Sequence, residues 1–215
     1  MRRFPGIFFL VIIMVFSVYT SLAQEMKDSL SLDKLLEKAE YNTNRNPSLS
    51  IDYAIKALEQ SEEKSLERIK AYYYLGYGHY IKNNYDTAAS YLNRVLDLAG
   101  QTQHPEWEAL AMNRLGNAFQ LKGSYDKALE MYQKALELNQ KLEQKDEIAR
   151  SLTNVGSIYR TVGNFDKAIQ FHLQALAKYE DLEAKEGIAW TSLNIARLFK
   201  LNTCYDKALE YLDKS

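Results

Sequence analysis

The chain has 215 residues, with 27 Lys and Arg against 28 Asp and Glu and a formal net charge of −1. A balance this even gives no overall case for nucleic acid or an anionic membrane as partner. The single cysteine, Cys204, excludes an internal disulfide.

The start is basic, Met1-Arg2-Arg3, and is followed by an apolar run from Ile7 to Phe16 that Val18 and Tyr19 extend. Ser21-Leu22-Ala23 then places small residues at the spacing of a signal-peptidase site. These three regions predict a secretory signal peptide over residues 1–23, cleaved after Ala23, and a periplasmic location. Gln24 would come first, and since it is not Cys a lipoprotein is not expected. The alternative is a membrane anchor over residues 7–19, but that run is short for a span of about 20 residues. The Ala23-Gln24-Glu25 junction resembles that of exported Bacteroidetes proteins. Cleavage takes the formal charge from −1 to −3, because Arg2 and Arg3 leave and no acid does.

Residues 24–66 predict a degenerate first helical unit. Leu32, Leu35, Leu36 and Ala39 make a short amphipathic helix, and Asn46-Pro47 opens a second with Ile51, Ala54, Ile55 and Leu58 inside. From residue 67 to 215 a beat of 40 residues takes over. Gly76, Gly116 and Gly156 share one place, continued by Ala196; Ala88, Ala128, Ala168 and Ala208 share another; Tyr85, Tyr125, Phe165 and Tyr205, each followed by Asp, share a third. A fixed period in this range marks a stacked repeat array.

Within the unit around Gly116, Ala111, Met112, Leu115, Ala118 and Phe119 fall on one helical face. Lys122-Gly123-Ser124 ends that helix, with Gly123 taking the left-handed conformation and Ser124 capping the next helix. Gly163-Asn164 repeats this turn, and Asn83-Asn84 is a weaker copy. The second helix starts near Tyr125, runs beyond Leu138 and buries Ala128, Tyr132, Ala135 and Leu136. Gly116 and Ala128 are small where the two helices approach most closely, and Phe119, Tyr125 and Tyr132 fill the space beside them. One such hairpin leaves its apolar face open, so it must stack on neighbours.

This pattern resembles the tetratricopeptide repeat. Met112-x2-Leu115-Gly116-x2-Phe119 with Ala128-x3-Tyr132 matches its signature, and Leu152-x2-Val155-Gly156-x2-Tyr159 with Ala168-x3-His172 departs only at His172. Tyr72-x2-Leu75-Gly76-x2-His79 with Ala88-x3-Leu92 is looser, and Ser192-x2-Ile195-Ala196-x2-Phe199 with Ala208 follows. The period exceeds the usual 34 residues and looks like the long-helix variety of kinesin light chains and bacterial signalling regulators. The resemblance implies an all-α fold, a right-handed superhelical solenoid of antiparallel helix pairs.

Chemistry is sparse. His79 and His172 occupy packing places and read as core histidines, and His104 precedes Pro105 at a helix start. No metal-ligand spacing, phosphate loop or nucleophile constellation occurs, and neither an enzyme activity, a metal nor a cofactor is expected. One stripe stands out. Tyr73, Tyr77 and Tyr80 lie at i, i+4 and i+7, followed by Asn113, Asn117 and Gln120, then Asn154, Ser157 and Arg160, then Asn194, Arg197 and Lys200. In tetratricopeptide repeats this helix lines a concave groove whose Asn residues hydrogen-bond an extended peptide. The resemblance therefore implies a peptide-binding groove at Tyr73, Tyr77, Tyr80, Asn113, Asn117, Asn154, Arg160, Asn194, Arg197 and Lys200. Lys70, Arg114 and Arg150 add to its basic bias, which favours an acidic protein or peptide.

The expected function is an exported scaffold that binds a protein or peptide. The alternative is the periplasmic sensor portion of a larger signalling protein, a histidine kinase or helix-turn-helix regulator, continuing beyond residue 215. Register favours continuation. The last repeat stops in mid-helix, so Leu209 and Leu212 are expected to meet water or a partner, and residues 204–215 to exchange amide hydrogens faster than 125–140.

Overall fold

The computed structural model describes residues 30–213, so the expected signal peptide at 1–23 lies outside the described residues. Among them are ten helices: α1 (Leu32–Asn42), α2 (Pro47–Gln60), α3 (Leu66–Ile81), α4 (Tyr85–Thr102), α5 (Pro105–Leu121), α6 (Tyr125–Lys141), α7 (Lys145–Thr161), α8 (Phe165–Asp181), α9 (Lys185–Leu201) and α10 (Tyr205–Leu212). Each packs on the next, and α1 also touches α3 and α3 touches α5. The result is an all-α solenoid of consecutive helix pairs. No helix among the described residues is long and apolar enough to cross a membrane.

The small residues act where the period places them. Ala88, Ala128 and Ala168 have no exposed surface. The Tyr132 ring lies on Gly116, where a Cβ would sit 2.5 Å from Tyr132 Cε1. Leu92 and His172 lie in the same way on Gly76 and Gly156. Leu136 is only half-buried, outside the stripe expected to hold it.

Every turn from α3 onward uses one residue in the left-handed region: Asn83, Gln103, Gly123, Glu143, Gly163, Glu183 and Thr203. The following N–H then reaches back five residues, as from Ser124 N to Phe119 O at 2.8 Å and from Gln144 N to Asn139 O at 3.0 Å. This is the 6→1 bond of a Schellman cap. No heavy atom lies within 4 Å of where a Gly123 Cβ would be. Gly123→Ala should therefore cost about 1 kcal/mol through backbone conformation alone, read as a shift of the denaturant midpoint. No shift would mean that the turn relaxes.

Ser124 departs from expectation, since its side chain makes no capping bond. At ψ 65° it lies outside the extended region that aims a short hydroxyl at the helix start. Asn164, one atom longer, caps Lys167 N at 3.2 Å from a similar backbone. Asn46 caps Leu49 N at 3.2 Å, with Pro47 at the first helical position as the sequence indicated. At the far end Leu209 is 61% exposed.

Candidate functional site

A cavity of about 250 Å³ opens among α5, α7, α8 and α9. Leu110, Asn113, Arg114 and Asn117 form its α5 wall, at i, i+3, i+4 and i+7 on one helical face. Glu147, Arg150, Thr153 and Asn154 of α7 face them, Tyr179 of α8 closes the floor, and Trp190 of α9, 58% exposed, stands at the rim.

Arg114 is held from behind. Its Nε donates to the Tyr73 hydroxyl at 3.0 Å, and its guanidinium lies 3.9 Å from the centre of the Tyr77 ring. Tyr73 meets Trp107 edge-on at 5.3 Å, and the Tyr77 hydroxyl donates to Asn44 Oδ1 at 2.9 Å. Burial opposes the Arg114 charge, but Tyr73, Tyr77 and Glu147 outweigh it and raise its pKa. None of the ion pairs among the described residues includes Arg114. Across the cavity Arg150 pairs with Asp146 at 2.8 Å and with Glu147 at 3.6 Å. Burial pushes the Glu147 carboxyl above its ordinary value, partly offset by Arg150.

The asparagines of α5 are oriented from inside the protein. Tyr132 donates its hydroxyl to Asn117 Oδ1 at 2.6 Å, with Gln120 Oε1 at 3.0 Å competing. Ser151 donates to Asn113 Oδ1 at 3.3 Å and accepts from Asn139 Nδ2 at 3.3 Å. Thr153 spends its hydroxyl on Ala149 O at 2.9 Å. No hydrogen bond among the described residues holds the Asn154 side chain, which is half-buried at the cavity wall.

The ten residues of the expected groove thus separate. Asn113, Asn117 and Asn154 line the cavity. Tyr73, 6% exposed, is a core residue rather than a groove residue, because Trp107 and Arg114 cover it. Tyr77 and Tyr80 are half-buried in a tilted aromatic contact with centroids 6.1 Å apart. Asn194, 5% exposed, does not line the cavity. Arg160, Arg197 and Lys200 are exposed in the last turns of α7 and α9, away from it. Glu147, Tyr179 and Trp190 were not among the residues expected from the sequence, although Trp190 shares one place of the 40-residue beat with Leu110 and Arg150, which also line the cavity. Among the described residues no cluster of His, Cys, Asp or Glu could hold a metal ion.

Residues 107–181, from the first turn of α5 to the end of α8, match the tetratricopeptide repeat family. No curated protein sequence matches the chain. Among solved structures the fold resembles a Rap protein complexed with competence and sporulation factor, with a TM-score of 0.75 and 20% identity over 91% of this chain and 57% of that one. It also resembles the Rap conjugation gene regulator of the plasmid pLS20 in complex with the Phr* peptide, with a TM-score of 0.69 and 15% identity over 82% of this chain and 50% of that one. BtubC from P. vanneervenii has a TM-score of 0.69 and 18% identity over 86% of this chain and 89% of its own. These likenesses are of fold, and the chain spans little more than half of the Rap protein bound to its factor.

Proposed function

We propose that this chain, which carries tetratricopeptide repeats over residues 107–181, is an exported, non-catalytic scaffold that holds an extended protein or peptide segment in the cavity between α5, α7 and α9. One observation carries the reading. The cavity combines an exposed indole, Trp190, with polar side chains at one-turn spacing on two facing helices, Asn113, Arg114 and Asn117 opposite Arg150 and Asn154. An extended backbone offers carbonyl and amide groups at similar intervals, and exposed Trp and Arg are common anchors of binding energy. The two Rap structures, one complexed with competence and sporulation factor and one with the Phr* peptide, support the reading at the level of fold. Export rests on Arg2-Arg3, the apolar run and Ser21-Leu22-Ala23. The intact mass of native protein should then begin at Gln24; retention of residues 1–23 would favour the anchor.

The binding test is selection of peptides from a random library against the full chain. Asn154→Ala should weaken a selected peptide by about 0.5–1.5 kcal/mol, the worth of one hydrogen bond. Trp190→Ala should cost about 2 kcal/mol or more. Asn194→Ala, outside the cavity, should change affinity much less. Equal affinity for all three variants would move binding away from the cavity.

A further inference from the structure

We propose that the α5 wall of the cavity is a strip of hydrogen-bond donors that selects carboxylate side chains of the bound segment. We further propose that Asn139 and Ser151, which lie outside the cavity, are the positioning residues that set this polarity. The inference rests on the groove reading above and adds the chemistry of the ligand to it.

The direction of each bond decides the matter. A serine hydroxyl has one hydrogen. Ser151 accepts from Asn139 Nδ2, so its hydrogen goes to Asn113 Oδ1. The Asn113 carbonyl oxygen is thereby occupied, and the group left for the cavity is the NH2. On the next turn the Tyr132 hydroxyl occupies Asn117 Oδ1 in the same way. Between them Arg114, a donor at every nitrogen, spends only its Nε on Tyr73. The two amide oxygens are thus held from inside the protein, each by one hydroxyl, and the groups these three polar residues turn to the cavity are N–H donors.

The opposite polarity would require Asn139 to turn its amide so that Oδ1 accepts from Ser151. Asn139 and Ser151 have no exposed surface. The arrangement present leaves the Asn139 carbonyl oxygen without a partner. The turned one would leave both hydrogens of a buried NH2 without an acceptor, which is the rarer and costlier defect. A buried polar pair reaching from α6 to α7 thus fixes which face of a groove asparagine the ligand meets. A carboxylate, which only accepts and takes several N–H groups at once, is the side chain that complements this wall.

The test uses the full chain and two probes, N-acetyl hexaglutamate amide and N-acetyl hexalysine amide, followed by the side-chain amide signals of Asn113 and Asn117 in nuclear magnetic resonance titrations. The net charge of −1 favours hexalysine in general, so a preference for hexaglutamate at these signals reports local polarity. Hexaglutamate should shift both pairs and hexalysine neither. Ser151→Ala should weaken hexaglutamate by about 2- to 12-fold, the equivalent of one hydrogen bond. Ser151→Thr, which keeps the hydroxyl, should restore affinity. Should Ser151→Ala fail to fold, Asn139→Leu gives a second route, because the freed Ser151 hydroxyl turns to a carbonyl of its own helix. Affinity and preference unchanged in folded Ser151→Ala and Asn139→Leu would make the pair merely structural and overturn the proposal. Equal binding of the two probes at the cavity would overturn it as well. So would the absence of any shift, while library peptides that contact Asn154 and Trp190 would still uphold the groove.

Discussion

Tyr132→Ala should cost about 3–5 kcal/mol of stability, the range for emptying a fully buried aromatic site. The ring has no exposed surface and fills the space that Gly116 leaves open. It packs with Ala128, Val155 and Ile158, so its loss opens a cavity between two successive units. In a solenoid each unit is stabilised by its neighbours, and α5 and α6 lie in the middle of the described array. Denaturant unfolding should show a large fall in midpoint, or two transitions as the halves uncouple. Tyr132→Phe keeps the ring and removes the bond to Asn117, so it should cost only about 0.5–1.5 kcal/mol. A loss under 1 kcal/mol for Tyr132→Ala would show that the helices close over the gap and that the Gly116 contact is not the organising one.

His172 gives the second large effect, and its sign is opposite to that of an ion-paired histidine. It occupies the place that Tyr132 holds in the preceding unit, has no exposed surface, and neither ring nitrogen finds a partner. Burial, reinforced by Arg160, lowers its pKa from 6.5 to about 4. The unfolded chain therefore binds a proton between these values that the folded chain does not. Stability is full above about pH 6.5 and falls as the pH drops toward 4, by about 3 kcal/mol at the lower limit. His172→Phe fills the same space with no group to protonate. It should be at least as stable at pH 7 and should lose this part of the acid slope. Chemical denaturation of both proteins from pH 7.5 to 4 measures the difference. Parallel curves would mean that the imidazole is solvated or partnered in solution.

The helix pairing was legible because close packing leaves little choice of residue. Where two helices touch at Gly116 and Tyr132, only a small residue against a large one fits, and the 40-residue beat repeats that constraint. The turns were legible at Gly123, Gly163 and Asn83 but not at Gln103, Glu143, Glu183 and Thr203. At those four the demand for a left-handed residue comes from the spacing of the flanking helices and is met without glycine. In the candidate site, Asn113, Asn117 and Asn154 followed from register on α5 and α7. Tyr73 misled the reading because its place on the stripe is filled by Trp107, contributed by the next unit. Glu147 and Trp190 were missed because they lie nearer the starts of α7 and α9 than Asn154 and Asn194, where the expected stripe begins on those helices. Asn139 was invisible for a different reason: a lone polar residue within an amphipathic helix gains meaning only from Ser151, twelve residues on and in another helix.

The cavity between α5, α7 and α9 is proposed to hold the partner. The most direct measurement is a crystal structure of the full chain with a library-selected peptide. The peptide should lie extended between α5 and α7, with Asn154 bonded to its backbone, the Arg114 guanidinium bonded to an acceptor, and Trp190 packed on a side chain. A peptide seated on α4 and α6, with the cavity unchanged, would contradict this.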